Sequence, residues 1–557
     1  MWPSVDVELR QSTIELFIKY LMDEGLKNSE PSKDKSVEQG VRDFLSILQN
    51  VVQHKLESIS PSENGINTIT SKDFVLEGQG SVEITDPPTE AQHQLIRSLL
   101  RVVLHQFNNK RKDFFDTDEN YNLLLSVFVK KITIEAEGNS YKGSGIFNSS
   151  LISVELTVSN ILEGNDNYLE PLDHPEGYFY QFYFFILPVQ PDFDGSNILS
   201  SGFKKIDLHD RNDENLDEST FILNSTEQDE LFSEETLENV KVTKLPSPHL
   251  DGLWESLYFG DDIKQKIFSH GQVSMKINDY LHPSAYKEEF SKLLVNNKVI
   301  LLHGPPGTGK TTLCRSLAQK LIIRKSYPNI MNILNTDYKG ILVELSCARV
   351  FSRWFGESSK NLECIFTDLK RILSSSSHKD LFVCVLIDEV ETIAGSRKDI
   401  LSKNESSDSI RVVNTLLTQI DSLKSYKNFL ILATSNLVES LDPAFVDRAD
   451  SVFYIGSPSI ESISNILFSL INSLIKTSII SSRHDTKAIT DKKYFRIIKN
   501  LGQECVNLNL SGRTIRKLPL LCLSEYFTEF PVSLDNFLIA LALTVRGLQS
   551  NPQKSST

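Results

Sequence analysis

The 557-residue sequence predicts an α/β protein whose second half forms a parallel sheet flanked by helices, preceded by a smaller α+β domain. Three observations carry this. Short runs rich in β-branched or aromatic residues recur at Val299 to Leu302, Ile341 to Leu345, Phe382 to Ile387, Phe429 to Ala433 and Val452 to Ile455, with room between them for helices. A glycine-rich loop falls between the first of these runs and the helix-like stretch Thr312 to Leu321. Further upstream, Ile132 to Glu137 and Leu151 to Val158 alternate apolar and polar residues, the period of a half-buried strand.

Composition narrows the function. Hydrophobic residues make up 40% and charged residues 24% of the chain, ordinary proportions for a folded protein. The net charge of −15 disfavours direct binding to nucleic acid or to an anionic membrane. The most apolar run, Tyr178 to Val189, contains Gln181 and Pro188 and is too short to span a bilayer, so it predicts a buried strand. Cys314, Cys347, Cys364, Cys384, Cys505 and Cys522 are scattered without CxxC spacing, which fits reduced thiols and no zinc site. The N-terminus has no basic start followed by an apolar core, so the expected location is cytosolic or nuclear.

Punctuation divides the chain into five expected segments. Residues 1–90 form an N-terminal extension, with helical patterns at Ile14 to Met22 and Val41 to Val52 among polar, serine-rich stretches expected to be partly mobile. Residues 91–205 form the α+β domain, opening with a helix over Gln92 to Gln106. Residues 206–248 form an acidic linker, in which Arg211 is the only Lys or Arg between Asp207 and Glu238. A large subdomain occupies 249–457, and the remainder, 458–557, is a smaller C-terminal subdomain.

The chemistry is concentrated in the large subdomain. Gly304-Pro305-Pro306-Gly307-Thr308-Gly309-Lys310-Thr311, followed by Thr312, satisfies the pattern GxxxxGK[ST] in the strand–loop–helix context that gives it meaning. The glycines let backbone N–H groups face phosphate oxygens, and the following helix adds the positive end of its dipole. Lys310 is then placed for the β and γ phosphates of ATP, and Thr311 for Mg²⁺. The strand Phe382 to Ile387 delivers Asp388 and Glu389 to one edge of the sheet, the first as a water-mediated Mg²⁺ partner, the second to orient or deprotonate the attacking water. A turn that binds nothing, followed by acids that are merely solvated, is the bland alternative.

These residues resemble the AAA+ superfamily and, more narrowly, the pachytene checkpoint protein family, also known as the thyroid-receptor-interacting ATPase family. The resemblance covers about 252 to 545 and rests on Gly252 to Tyr258, Leu301 to Thr311, Phe351 to Phe355, Leu386 to Glu391, Ile410 to Asn414, Phe445 to Asp450 and Ser511 to Pro519. It implies that 458–557 is a helical lid. Carried over position by position, it implies that Asn436 is the sensor beside the γ-phosphate, with a turn-forming amide as the alternative. It makes Arg448 the arginine finger given to the neighbouring subunit, with an ion pair to Asp447 or Asp450 as the alternative. Arg513 becomes the lid's sensor arginine, or else a surface arginine. Trp354 and Phe355 become the pore loop that grips a polypeptide, or else core residues. A second pore-facing loop is expected over Arg397 to Ser409.

The resemblance further implies a homohexamer that binds HORMA-domain proteins, with an adaptor protein where one is needed, and converts their closed form to the open one. It places that work at meiotic chromosome axes and in the spindle checkpoint, in the nucleus and nucleolus with some cytoplasmic protein. An ATP-dependent binding scaffold that does no remodelling is the alternative, and a nucleic-acid motor is disfavoured by the charge. The region before about residue 200 carries no motif that assigns its partner residues.

Overall fold

The computed structural model describes, with short gaps, residues 4–25, 41–56, 66–70, 124–135, 181–187, 232–280, 298–325, 339–347, 358–375, 381–395, 407–481 and 492–550. Two compact units account for them. One comprises residues 1–218 together with 323–337, and the other comprises 219–322 and 338–557.

The first unit is built on a four-stranded sheet of order β2-β3-β1-β4, formed by β1 (Ser4–Leu9), β2 (Ile66–Thr70), β3 (Val129–Glu135) and β4 (Gln181–Ile186). β1 lies inside the sheet, antiparallel to β3 and parallel to β4. Its alternation sorts its side chains: Val5, Val7 and Leu9 join a core with Ile14, Phe17, Phe44, Leu48 and Phe128, while Asp6 and Glu8 point to the other face and are also buried. Asp6 is satisfied by Arg324, and Glu8 by Lys130 at 2.9 Å.

This corrects the expected division at residue 90. Ser4–Leu9, assigned to an extension, is an inner strand of the same sheet as Val129–Glu135 and Gln181–Ile186, because its partners arrive from far along the chain. The helical pattern at Ile14 to Met22 falls within the helix Gln11–Gly25, and the apolar run at Tyr178 to Val189 contains β4. The expected strand at Leu151 to Val158 lies outside the described residues, as does the helix at Gln92 to Gln106 apart from helical Ile96.

The second unit holds a six-stranded sheet of order β10-β6-β9-β8-β7-β5, comprising β5 (Val240–Leu245), β6 (Val299–His303), β7 (Gly340–Leu345), β8 (Phe382–Ile387), β9 (Phe429–Ser435) and β10 (Ser451–Tyr454). All neighbours are parallel except β5, which closes the edge antiparallel to β7. Strands buried on both faces read as continuous apolar runs, which is why they are visible in the sequence. Alternate residues still go to different layers. Val299, Leu301, Val383, Val385 and Ile431 share a core with Leu362, Phe366, Val413 and Leu416 of the helices Ser358–Ser374 and Ser407–Leu423. Ile300, Leu302, Cys384, Leu386 and Leu432 pack with Leu313, Leu317 and Leu321 of the helix Lys310–Ile323 and with Ile267 and Phe268 of Ile263–Tyr280.

The end of the expected acidic linker belongs to this unit. Asp368 accepts hydrogen bonds at Oδ2 from the Ser233 N–H at 2.9 Å, the Ser233 hydroxyl at 2.7 Å and the Thr236 hydroxyl at 2.8 Å, which pins the short helix Glu234–Asn239 ahead of β5. These bonds hold the Asp368 carboxyl below its ordinary pKa even though burial pushes the other way.

C-terminal to β10, four helices, Ile460–Lys476, Lys492–Asn507, Gly512–Tyr526 and Leu534–Ser550, enclose a core of their own around Leu467, Ile515, Leu518, Phe537 and Leu541. Ser459 and Ser511 cap the first and third of them by accepting the N–H of Ser462 and Thr514. Among the described residues no helix is long and apolar enough to cross a membrane.

Candidate active site

The carboxyl ends of β6, β8 and β9 converge on one cavity, where an open parallel sheet presents its ligands. At the end of β6 the chain turns through glycines at positive φ: Gly304 at 145°, Gly307 at 77° and Gly309 at 96°. A Cβ on Gly304 would lie 2.1 Å from the carbonyl oxygen of Ile455, so glycine is required there on steric grounds as well. The helix then starts at Lys310 with its first amides turned toward the loop.

Lys310 is buried, and its ammonium donates to the carbonyls of Gly304 at 2.8 Å and Pro305 at 2.9 Å and to Oδ1 of Asn436 at 2.9 Å. Burial lowers its pKa, an effect opposed by the carboxylates of Glu391, Asp388 and Glu389 and reinforced by Arg513. All its direct partners are neutral oxygens, leaving the cation in place for an anion.

Asp388 and Glu389 follow β8 directly. Oδ1 of Asp388 accepts from the Thr311 hydroxyl at 2.8 Å and also from the Thr434 hydroxyl. Thr434 in turn accepts the Glu389 N–H at 3.1 Å, so one buried hydroxyl on β9 fixes both acids. Glu389 has left-handed backbone, φ 53° and ψ 51°, an uncommon state for a residue with a side chain and one that clusters at functional positions.

The cavity has a volume of about 430 Å³, within the range that takes a small-molecule ligand. Its polar end is lined by Pro306 to Thr312, Asp388, Glu389, Thr434 and Asn436, and its other end by Leu253, Leu257, Tyr258, Phe259 and Ile466. Arg513 closes it from the helical subdomain, with its N–H donating to the Gly307 carbonyl at 3.1 Å. Arg516, one turn further on, lines the cavity and donates to the Ser256 carbonyl at 2.7 Å. A nucleotide fits this chemistry, with an apolar slot for a base and a cationic loop for phosphates. A Mg²⁺ ion fits as well: a hydroxyl and a carboxylate, 2.8 Å apart at Thr311 and Asp388, are hard oxygen donors that leave the remaining positions to phosphate and water. Among the described residues no cluster of three or more His, Cys, Asp or Glu forms a metal cage by itself.

Of the residues singled out from sequence, Pro306 to Thr312, Asp388, Glu389, Asn436 and Arg513 line this cavity, while Gly304 and Pro305 hold Lys310 from behind. Arg448 is not among the lining residues. Its guanidinium grips Asp421 through Nε at 3.1 Å and an amino group at 2.7 Å, and donates to the Ala444 carbonyl at 2.7 Å. The expected ion-pair partner was Asp447 or Asp450; the observed partner is Asp421, at the end of the helix Ser407–Leu423. Trp354 and Phe355 lie outside the described residues, as does most of Arg397 to Ser409. Sequence reasoning missed Thr434 and Glu391. Both carry a signal in their spacing, Thr434 two residues before Asn436 and Glu391 two residues after Glu389.

Fold and site together define a nucleotide-binding ATPase of the AAA class. Residues 300–457 match the ATPase family associated with various cellular activities (AAA), and residues 459–548 match the TRIP13-like, AAA+ ATPase lid C-terminal domain. The chain belongs to the pachytene checkpoint protein 2 family: it is 43% identical over 559 residues to Pachytene checkpoint protein 2 of Saccharomyces cerevisiae, covering 98% of this chain and 99% of that relative. The human Pachytene checkpoint protein 2 homolog is 38% identical over 325 residues, covering 56% of this chain and 71% of its own. The solved structure of C. elegans PCH-2 is 32% identical, covers 56% of this chain and 76% of its own, and superposes with a TM-score of 0.46.

Proposed function

We propose that this ATPase spends ATP on mechanical work against HORMA-domain proteins, converting their closed form to the open one as a homohexameric ring, with an adaptor where the client requires one. The reading rests on membership of the pachytene checkpoint protein 2 family over almost the whole chain and on the site's chemistry. It assigns the protein to the nucleus, at meiotic chromosome axes and in the nucleolus, with a cytoplasmic fraction serving the spindle checkpoint.

In this reading the loop Gly304 to Gly309 wraps the phosphates of ATP, and Lys310 exchanges its carbonyl partners for phosphate oxygens. Thr311 and Asp388 would hold Mg²⁺, which would supply positive charge against the triphosphate. Glu389 orients the attacking water and takes its proton, while Thr434 keeps both acids in register. Asn436 holds the γ-phosphate end of the site, and Arg513 senses it from the lid. Arg448, turned to Asp421 and outside its own chain's cavity, is supplied to the next subunit, where a guanidinium offsets charge in the transition state. A finger acting in trans requires a head-to-tail interface that closes into a ring. Trp354 and Phe355 grip the client in the central pore.

One observation separates this reading from a scaffold that merely binds nucleotide: the complete pair of carboxylates, with Glu389 free of any role in holding Asp388. The test is Glu389→Gln. Steady-state hydrolysis should fall at least ~100-fold while ATP binding and ring assembly persist, and the trapped ring should retain a HORMA-domain client that the wild type releases opened. A wild type that binds its client in ATP and releases it unopened, whatever its turnover, would favour the scaffold.

A further inference from the structure

Glu391 is a third carboxylate at the site, and no role given above uses it. The left-handed turn at Glu389 carries the chain into a short 3₁₀ helix, Val390–Thr392, beside the end of β9. From there Oε1 of Glu391 accepts two hydrogen bonds from the same residue, the Asn436 backbone N–H and its side-chain Nδ2, each at 3.0 Å. Oε2 is buried and has no hydrogen-bond partner among the described residues.

This pairing decides which way the Asn436 amide faces. With Nδ2 on the carboxylate, Oδ1 is turned to the Lys310 ammonium at 2.9 Å. The flipped amide would set an oxygen against a carboxylate and an NH₂ against an ammonium, losing two charge-assisted bonds and creating two repulsions. The amide is therefore locked at both ends by opposite charges, and what it offers the phosphate pocket is an acceptor. Among the carboxylates that oppose the lowering of the Lys310 pKa by burial, Glu391 is the foremost, ahead of Asp388 and Glu389.

We infer that Glu391 is a positioning residue for ATP hydrolysis: by holding both nitrogens of Asn436 it fixes the sensor amide with its oxygen toward Lys310 and the attacking water. The inference rests on the roles proposed above for Lys310 and Asn436. It assigns Asn436 the task of accepting a hydrogen bond from water or lysine, where a donor to the γ-phosphate would need the opposite face of the amide. The misaligned amide costs rate more than affinity, because the nucleotide is held chiefly by the loop and Lys310.

The experiment compares Glu391→Ala, Glu391→Gln, Asn436→Ala and the double variant Glu391→Ala with Asn436→Ala, each assembled in ATP, in steady-state hydrolysis and in titration with a fluorescent ATP analogue. Glu391→Ala should lower kcat about 10- to 100-fold with analogue affinity changed less than about 3-fold. The double variant should be no slower than Asn436→Ala alone, since both remove one unit. Glu391→Gln keeps an acceptor for both nitrogens and should recover kcat to within about 5-fold of wild type.

Multiplicative losses in the double variant, or an unchanged kcat in Glu391→Ala, would overturn the inference. If Glu391→Ala does not assemble, Glu391→Gln decides alone, and a loss in kcat as large as that of Asn436→Ala would sink it. Failure of the underlying reading looks different: Asn436→Ala would then hydrolyse like wild type, whatever Glu391 does.

Discussion

Two arginines show how the two units put the same group to different use. In the first unit Arg324 is enclosed: its guanidinium meets Asp6 at 2.9 and 3.0 Å and Glu135 at 2.5 Å, and lies 5.5 Å from the centre of the Tyr183 ring. Its side chain is 5% exposed, and the two carboxylates raise its pKa against the cost of burial. In the ATPase unit Arg448 is bridged to Asp421 and is 27% exposed. An arginine enclosed between two buried acids is part of the framework. One held by Asp421 and the Ala444 carbonyl and still partly exposed is oriented without being enclosed, the condition for delivering charge elsewhere.

Substitution should separate the two roles most sharply at Arg448. Replacing it with Ala is expected to cut ring ATPase by ~10³-fold or more, as for arginine fingers generally, with little change in melting. In mixed rings activity should return only where a wild-type finger faces a wild-type site. Loss confined to the mutant chain's own nucleotide would break the contrast, leaving Arg448 as another framework residue.

Arg324→Ala should do the reverse. Stranding Asp6 and Glu135 as buried, unpaired acids is expected to cost about 3–5 kcal/mol. Hydrogen exchange should report it as lost protection in β1 and β3, while folded molecules keep their ATPase. Removing all three charges together, with Asp6→Asn and Glu135→Gln, should cost less than the single change.

The smallest effect concerns a buried lysine. Lys298, at the opposite end of β6 from the phosphate loop, is pushed down to about 8 by burial, with Asp450 opposing; its ammonium donates to backbone carbonyls of Lys424 and Tyr426. A lysine whose folded value lies below its unfolded value opposes folding while both states are protonated. That penalty is present below about pH 8 and is relieved as pH rises toward 10.5. The ATPase unit should therefore gain about 1–3 kcal/mol across this window, and Lys298→Met should flatten that rise when denaturant melts are compared from pH 7.5 to 10.

The ATPase half was legible because its chemistry dictates residue types at fixed spacing and because strands buried on both faces are written as apolar runs. Five of the six strands could be placed this way. β5 escaped because it follows an acidic stretch and, at the sheet edge, alternates Val240, Val242 and Leu245 with lysines. β1 escaped for another reason. Its partners β3 and β4 are more than a hundred residues away, and its Asp6 and Glu8 read as solvent-facing until Arg324 and Lys130 supply the opposite charge. At the site, Lys310, Asp388 and Glu389 were visible as motifs. Thr434 and Glu391 act through hydrogen bonds between the turn after β8 and the end of β9 with Asn436 beyond it, which strand spacing alone does not reveal. The Arg448 partner was misjudged because sequence neighbours were considered and Asp421 sits 27 positions away.

The close approach at Gly304 has one more consequence. The carbonyl it would collide with, were it any other residue, belongs to Ile455, on the short strap that leads from β10 to the first lid helix at Ile460. The glycine-rich loop and the connection to the C-terminal helices thus run so close that only a residue without a side chain fits between them. A side chain at 304 would push directly on that connection, so this glycine matters to the join with the C-terminal helices as well as to the loop.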